Sequence, residues 1–320
     1  MSRLLTGFKP TGHMHLGNLL GAIRPIVARQ DGNRTTVMIV DLHAMTVPHT
    51  PATLRELSME VAGLLLASGV DASQFYLQSQ VPEHTELHYL LECVTSYGEA
   101  HRMIQFKEKG GSGSRLALLT YPVLMAADIL LHDTDEVPVG EDQLQHIELT
   151  RSVAQRFNNL YGTTFAVPKG VSPLFAARVM DLSDPARKMG KTGSTDTGSI
   201  RLLDEPEVIR RKVMRAVTDT LSTVHYDPAE QPGVSNLLSI LAGCTGRTPG
   251  GLAGQFTTYG GLKEAVADAV VEVVRPIQER YAELDPGQVR KELAAGAEQA
   301  REVASVTVRR AKQAIGLVMG

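Results

Sequence analysis

Tryptophan is absent from the chain, and cysteine occurs only twice, at Cys93 and Cys244, with no Cys-x-x-Cys pair. Neither a disulfide framework nor a zinc site is indicated, and a reducing, cytoplasmic setting is expected. Aromatic residues make up only 5% of the sequence, and no run of 18 apolar residues occurs, so no membrane span is expected. The opening Met1-Ser2-Arg3-Leu4-Leu5-Thr6-Gly7 runs straight into a strand-like pattern, so no signal peptide is expected either. Charge is nearly balanced, at −3. That neither supports nor excludes a nucleic-acid partner, because a local basic face can bind phosphates on an otherwise acidic surface. What remains is ordinary for a globular protein. With 320 residues, 43% hydrophobic and 21% charged, the chain can build one large domain or two smaller ones, and disorder and fibre are excluded.

Along the first two-thirds, short apolar runs alternate with helical periodicity. Residues 4–8, 36–40 and 75–78 read as strands, and helices begin near residue 17 and cover 51–68. Strand, helix, strand, helix predicts an α/β fold with a parallel sheet and ligands at the strand C-termini. Pro25 falls inside the first helix, where its missing N–H predicts a kink or a break. Residues 96–131 turn helical around the interruption Gly110-Gly111-Ser112-Gly113-Ser114, which reads as a mobile loop. A return strand follows at 137–140, and then a helix through 156. Beyond Asp204 the strand-like runs stop. Residues 205–217, 234–242, 261–283 and 289–317 read as helices, which makes the C-terminal third an all-helical module.

The stretch Arg187-Lys188-Met189-Gly190-Lys191-Thr192-Gly193 ends like a P-loop. That motif needs a glycine where this chain has Pro185, which lacks an N–H, and the preceding Asp181-Leu182-Ser183-Asp184 reads as a turn. A P-loop is therefore rejected, and the two lysines need another explanation.

Four other segments carry polar residues that core packing would not require. Gly7-Phe8-Lys9-Pro10-Thr11-Gly12-His13-Met14-His15-Leu16-Gly17-Asn18 is a strand, a turn and a helix start, where backbone N–H groups favour an anion. His15 and Asn18 can face one phosphate there, or Asn18 can be a surface cap. Asp41-Leu42-His43 follows an apolar strand, as a metal pair, a catalytic pair, or a turn with a packed or pocket-lining histidine. In Tyr121-Pro122-Val123-Leu124-Met125-Ala126-Ala127-Asp128-Ile129 one carboxylate stands in an almost unbroken apolar helix. It must face solvent, bond to nearby backbone, or meet a buried donor such as a ligand N–H. In Val137-Pro138-Val139-Gly140-Glu141-Asp142-Gln143 a glycine at a strand end would let a flat ring approach, with polar groups suited to a ribose or an amine.

In this order the segments resemble a class I aminoacyl-tRNA synthetase of the bacterial tryptophanyl branch. Pro10-Thr11-Gly12 with His15-Leu16-Gly17-Asn18 is similar to that family's His-Ile-Gly-His element, and Lys188-Met189-Gly190-Lys191-Thr192 to its Lys-Met-Ser-Lys-Ser loop. The likeness extends through Gln105-Phe106-Lys107-Glu108-Lys109, Asn236-Leu237-Leu238 and Arg275-Pro276-Ile277-Gln278-Glu279-Arg280-Tyr281, nearly the whole chain. It implies a Rossmann-like catalytic domain over 1–185, a mobile phosphate-binding loop over 186–200 and a helical anticodon-recognition domain over 201–320 with a C-terminal helix. The implied catalytic residues are Lys109, Lys188, Lys191 and Thr192. ATP would be held by Lys9, Pro10, Thr11, His15, Gly17, Asn18, Gly140, Glu141, Asp142, Val179 and residues 188–192. Tryptophan would be held by Asp128, Tyr121, Met125, Ile129, His43, Val137, Val139 and Gln143.

The resemblance further implies ATP with Mg2+ as substrate, tRNA(Trp) as acceptor, no protein-bound metal, and a homodimer with its interface about residues 80–131. Arg210-Arg211-Lys212, Arg215, Arg309-Arg310 and Lys312 are candidate tRNA phosphate contacts. Gly190 stands where the family usually has serine, and Lys9 where many relatives have glutamine. The second departure points to a divergent or second-copy enzyme with altered inhibitor sensitivity. A tyrosyl-tRNA synthetase is disfavoured by the Gly-Glu-Asp-Gln-x-Gln-His run at 140–146, and a regulatory protein that no longer charges tRNA by the retention of both lysines.

Overall fold

A computed structural model describes residues 2–30, 34–71, 75–111, 113–138, 140, 143–171, 178–191 and 195–319. Val139, Glu141, Asp142 and Thr192 lie outside the described residues, as does the side chain of Lys109. Five parallel strands form one sheet: β1 (Arg3–Phe8), β2 (Arg34–Ile39), β3 (Phe75–Leu77), β4 (Glu136–Pro138) and β5 (Lys169–Val171). Their order is β3-β2-β1-β4-β5. The chain winds outward from β1 to β3 and then returns to the other side of β1, so the reversal falls between β1 and β4. That crevice is where doubly wound sheets bind ligands.

Register fixes the two faces. Phe8 pairs with Ile39, and Ile39 with Leu77. Phe8, Val37, Ile39 and Phe75 enter one core, while Leu5, Met38, Tyr76 and Val137 enter another. Burial on both faces is what a parallel sheet requires. The first core is completed by the helix Pro51–Ala67, whose start is fixed by Pro51 and by Thr50 Oγ1 accepting the Thr53 N–H at 3.1 Å. The second core receives the helix Leu116–Leu131, which carries Asp128. β5 was not visible in the sequence, because Lys-Gly-Val has no apolar run to signal a strand.

Pro25 does not break its helix. A π turn over Leu19–Ile23 directly precedes the α-helical Arg24–Gln30, so the missing proline N–H falls next to a stretch already out of α register. Past Asp204 the described residues contain no strand. The helices Pro206–Met214, Pro232–Thr245, Pro249–Ala253 and Pro286–Ile315 each open on a proline, whose fixed φ suits a first turn where no N–H partner is needed. Tyr259–Glu283 lies among them and packs on Pro51–Ala67, so one core runs from the sheet into the helical third.

The last helix returns to the sheet. Pro286–Ile315 packs on β3 and on Glu83–Glu92, with Arg310 Nη2 2.7 Å from Asp133 and Lys312 Nζ 2.8 Å from Glu86. Two of the basic residues expected to contact tRNA thus tie this helix to the body. Lys212 corrects another expectation. It is 5% exposed, with Nζ donating to Ser199 O at 2.9 Å and to Asp204 Oδ2 at 2.8 Å, because its helix turns that face into the core. Cys93 is exposed and Cys244 buried, and neither is in a disulfide. Among the described residues no helix is long and apolar enough to cross a membrane.

Candidate active site

Parallel strands deliver their following loops to one edge, and the candidate residues gather there. After β1, Lys9 to Gly12 form the turn, and His15 precedes the short helix Leu16–Asn18. Asn18 Oδ1 accepts the His15 N–H at 3.1 Å, so Asn18 caps the turn. From the far side, Leu16 N–H donates to Ile200 O and Leu202 N–H to Met14 O, both at 2.9 Å, which ties the turn to a distant segment of the chain. The His15 ring is buried, and among the described residues its Nδ1 has no hydrogen-bond partner. Burial, and then the charge of Lys191, push the imidazole down to about 4, so it is neutral at pH 7. Gly17 packs closely beside it, since a Cβ there would sit 3.0 Å from His15 Nδ1.

The lysine loop is anchored at its root and reaches back to the same place. Met189 N–H donates to Val179 O at 3.1 Å, and Asp181 N–H to Arg187 O at 2.9 Å. Val179 and Met189 place their side chains in the first core, so any part they play at a ligand is played from its wall. Lys188 is exposed, and Gly190 is half-buried. Lys191 turns inward and donates to Lys9 O at 2.6 Å. Gly12 packs on its backbone, where a Cβ would lie 3.0 Å from Lys191 O. Burial pushes the Lys191 ammonium down to about 8; Glu60 opposes that shift and Lys9 adds to it. A half-buried ammonium, a second cation and a helix start converge, and an anion placed among them would relieve both desolvation and like-charge repulsion.

Lys9 also links this corner to a second one. Its Nζ donates to Thr46 Oγ1 at 3.2 Å and lies 5.9 Å from the centre of the Tyr121 ring. Tyr121 meets His43 edge-on at 6.1 Å, and its hydroxyl, pushed up to about 12 by burial, is 2.7 Å from His146 Nε2. His43 Nε2 is 2.8 Å from Asp128 Oδ2, and Gln78 Nε2 donates to Asp128 Oδ1 at 2.7 Å. Asp128 is 2% exposed. Burial alone would raise its carboxyl, but His84 and His43 outweigh that and hold it well below the usual carboxylate range. Of the ways in which a lone carboxylate could be satisfied there, the chain uses buried side-chain donors. Ile129 and Val137 are buried alongside, and Met125 is half-buried. Gly140, exposed, accepts the Gln143 N–H at 2.9 Å beyond β4.

One line of contacts therefore joins Lys191, Lys9, Tyr121, His43 and Asp128. Gln78, His84, Thr46 and His146 belong to it and were not foreseen. A signal for Gln78 was available: it follows β3 as Lys9 follows β1 and Asp41 follows β2. Among the described residues no group of three or more His, Cys, Asp or Glu side chains is placed to hold a metal ion.

Residues 1–275 match the family described as tRNA synthetases class I (W and Y). The chain is 55% identical to a Streptomyces coelicolor protein named tryptophan--tRNA ligase 1, over 99% of this chain and 98% of that one. A solved tryptophanyl-tRNA synthetase from Mycoplasma pneumoniae superposes with a TM-score of 0.92 at 36% identity, covering 99% of this chain and 98% of that one. The Campylobacter jejuni tryptophanyl-tRNA synthetase, solved with ADP and tryptophan, gives 0.82 at 32% identity, covering 98% of this chain and 100% of that one.

Proposed function

The chain belongs to the class I tRNA synthetases of the W and Y branch, and on that premise we propose that it is a tryptophan--tRNA ligase. It activates tryptophan with MgATP to tryptophanyl-adenylate and pyrophosphate, then transfers the acyl group to the terminal ribose of tRNA(Trp). One observation carries the reading: Asp128, a buried carboxylate in an apolar wall, lies at the end of a contact line that begins at the cationic corner of Lys191.

The attacking carboxylate of tryptophan is already ionised, so the first step needs little acid or base catalysis. It needs alignment at the α-phosphorus and neutralisation of charge on the departing pyrophosphate. Lys191 and Lys188 supply that charge, with Lys109 and Thr192 completing the group. Neutral His15, with Gly17, Asn18, Pro10 and Thr11, lines the triphosphate, while Gly140, Glu141, Asp142, Val179 and Met189 hold adenine and ribose. Mg2+ enters with the nucleotide. Asp128 accepts the indole N–H, and Met125, Ile129, Val137, Val139 and His43 frame the ring. Tyr121 and Gln143 face the α-amino group. Gly190 gives the loop backbone freedom, and ordering it around ATP costs entropy that serine would reduce.

Residues 1–185 form the catalytic domain, 186–200 the phosphate loop and 201–320 the anticodon-reading part. The protein acts in the cytoplasm as a homodimer. The exposed Tyr89, Tyr97, Ile104 and Leu116 support an interface in the 80–131 region. Lys9, bonded to Thr46 beside Tyr121, marks a divergent form in which tryptophan-like inhibitors meet an added cation. Charging of tRNA(Trp) and tRNA(Tyr) transcripts with labelled amino acids tests the function. Tryptophan is expected on tRNA(Trp) alone; tyrosine on tRNA(Tyr) would move the protein to the sister activity.

A further inference from the structure

Behind Asp128 lies a set of buried polar groups that no step above uses. His84 is fully buried, Tyr76 is 1% exposed and His132 7%. His84 Nδ1 is 2.7 Å from Asp128 Oδ1, its Nε2 is 2.9 Å from the Tyr76 hydroxyl, and that hydroxyl is 2.7 Å from His132 Nε2. We propose that Tyr76, His84 and His132 are positioning residues for tryptophan recognition, forming a buried polar chain that holds Asp128 Oδ1 and leaves Oδ2 to the indole N–H. The inference rests on the proposed role of Asp128.

Donors and acceptors along the chain can all be matched. An ionised carboxylate only accepts. His84 Nδ1 does not approach Oδ1 along an ideal hydrogen-bond line, yet at 2.7 Å two bare lone pairs would repel, so Nδ1 carries a hydrogen. Either tautomer then satisfies Tyr76: it donates to one of the two ring nitrogens it touches and accepts from the other. A buried hydroxyl without such partners would cost more than this satisfied one. His132 is neutral, pushed down to about 3 chiefly by burial, so one of its ring nitrogens donates and the other accepts.

The result at Asp128 is asymmetric. Oδ1 accepts from Gln78 and has His84 Nδ1 2.7 Å away, so two buried groups crowd it. Among the described residues Oδ2 meets only His43 and keeps one lone pair. Rotating the carboxylate would break contacts to three buried groups, so the free lone pair stays aimed. Outer groups that orient a first-contact ligand in this way are worth about 10- to 100-fold in affinity at metal sites, and a comparable effect is expected here.

The test compares tryptophan with 3-benzothienyl-alanine, a near-isostere without the indole N–H, in ATP–pyrophosphate exchange. Native enzyme is expected to prefer tryptophan by at least about 100-fold in kcat/KM, because the isostere leaves Asp128 a lone pair short. Tyr76→Phe removes the hydroxyl and should cut that preference about tenfold, through the KM for tryptophan, with KM for the isostere and for ATP unchanged. His132→Gln can still donate to or accept from Tyr76 and should keep the preference, whereas His132→Leu should lose it as Tyr76→Phe does. If native enzyme treats the two amino acids alike, the reading of Asp128 itself falls. If native enzyme discriminates but both Tyr76→Phe and His132→Leu leave the preference intact, or lower use of both amino acids equally, the positioning chain is overturned and the role of Asp128 stands.

Discussion

Asp128→Ala is expected to raise KM for tryptophan by about 100-fold or more while KM for ATP moves by less than about threefold. A site built to pair a substrate N–H discriminates strongly because the analogue without it leaves a buried group unsatisfied, and deleting the acceptor removes that discrimination. The separation between the two substrates follows from geometry. Asp128 touches His43, Gln78 and His84, whereas the cationic corner is built from Lys9, Lys191 and the His15 turn. The variant also leaves three buried donors facing a gap, so a lower melting temperature is expected. Asp128→Asn, which keeps an acceptor oxygen, separates the two effects: stability recovers in part and selectivity much less. Exchange kinetics with each substrate varied in turn measure the split, and an equal rise in both KM values would count against the assignment.

Lys191 carries the second large effect. Its ammonium is pushed down to about 8, so the free protein loses this charge as pH rises through that value. If the charge holds phosphate, kcat/KM for ATP, which reports groups of the free enzyme, falls on a basic limb near pH 8. Lys191→Arg keeps its charge throughout, so that limb should disappear at the cost of some activity in the plateau. Lys191→Met should lose about 100- to 1000-fold at pH 7, the scale for removing one transition-state contact.

Stability moves the other way. A cation whose folded value lies below its ordinary 10.5 is bound to more protons in the unfolded chain between pH 8 and 10.5. The Lys191 contribution to folding therefore grows as pH rises through that window. Native protein should thus lose ATP efficiency while the penalty of burying Lys191 is relieved, and thermal melts of native and Lys191→Met protein across pH 7.5 to 10 should diverge accordingly. A flat kcat/KM profile for native enzyme over the same range would remove Lys191 from phosphate binding.

Much of this site lay in the sequence because parallel strands place their next residues at one edge. Lys9 and His43 follow β1 and β2, and local pattern sufficed to mark both. Asp128 stood out as one charge in an apolar helix. What local pattern cannot show is a partner far along the chain. Tyr76 meets His132 56 positions away, and Lys191 meets the Lys9 carbonyl 182 positions away. The same limit misplaced Lys212, whose neighbours Arg210 and Arg211 made a solvated basic face the natural reading until Ser199 and Asp204 closed over it. The final helix read as part of a separate module, yet Ala297, Ala304, Val308 and Ala311 place it in the core behind the sheet. β5 was missed because a three-residue edge strand has too little apolar surface to announce itself.

Amino-acid-dependent ATP–pyrophosphate exchange, run with tryptophan, tyrosine and phenylalanine side by side on the native protein with Mg2+, tests the central claim most directly. Exchange with tryptophan alone is the predicted result, since it requires the cationic corner and the Asp128 pocket to act on one substrate pair. Exchange with tyrosine instead would place the protein in the sister branch. No exchange with any of the three, from folded protein, would contradict the account and leave a synthetase fold that binds without activating.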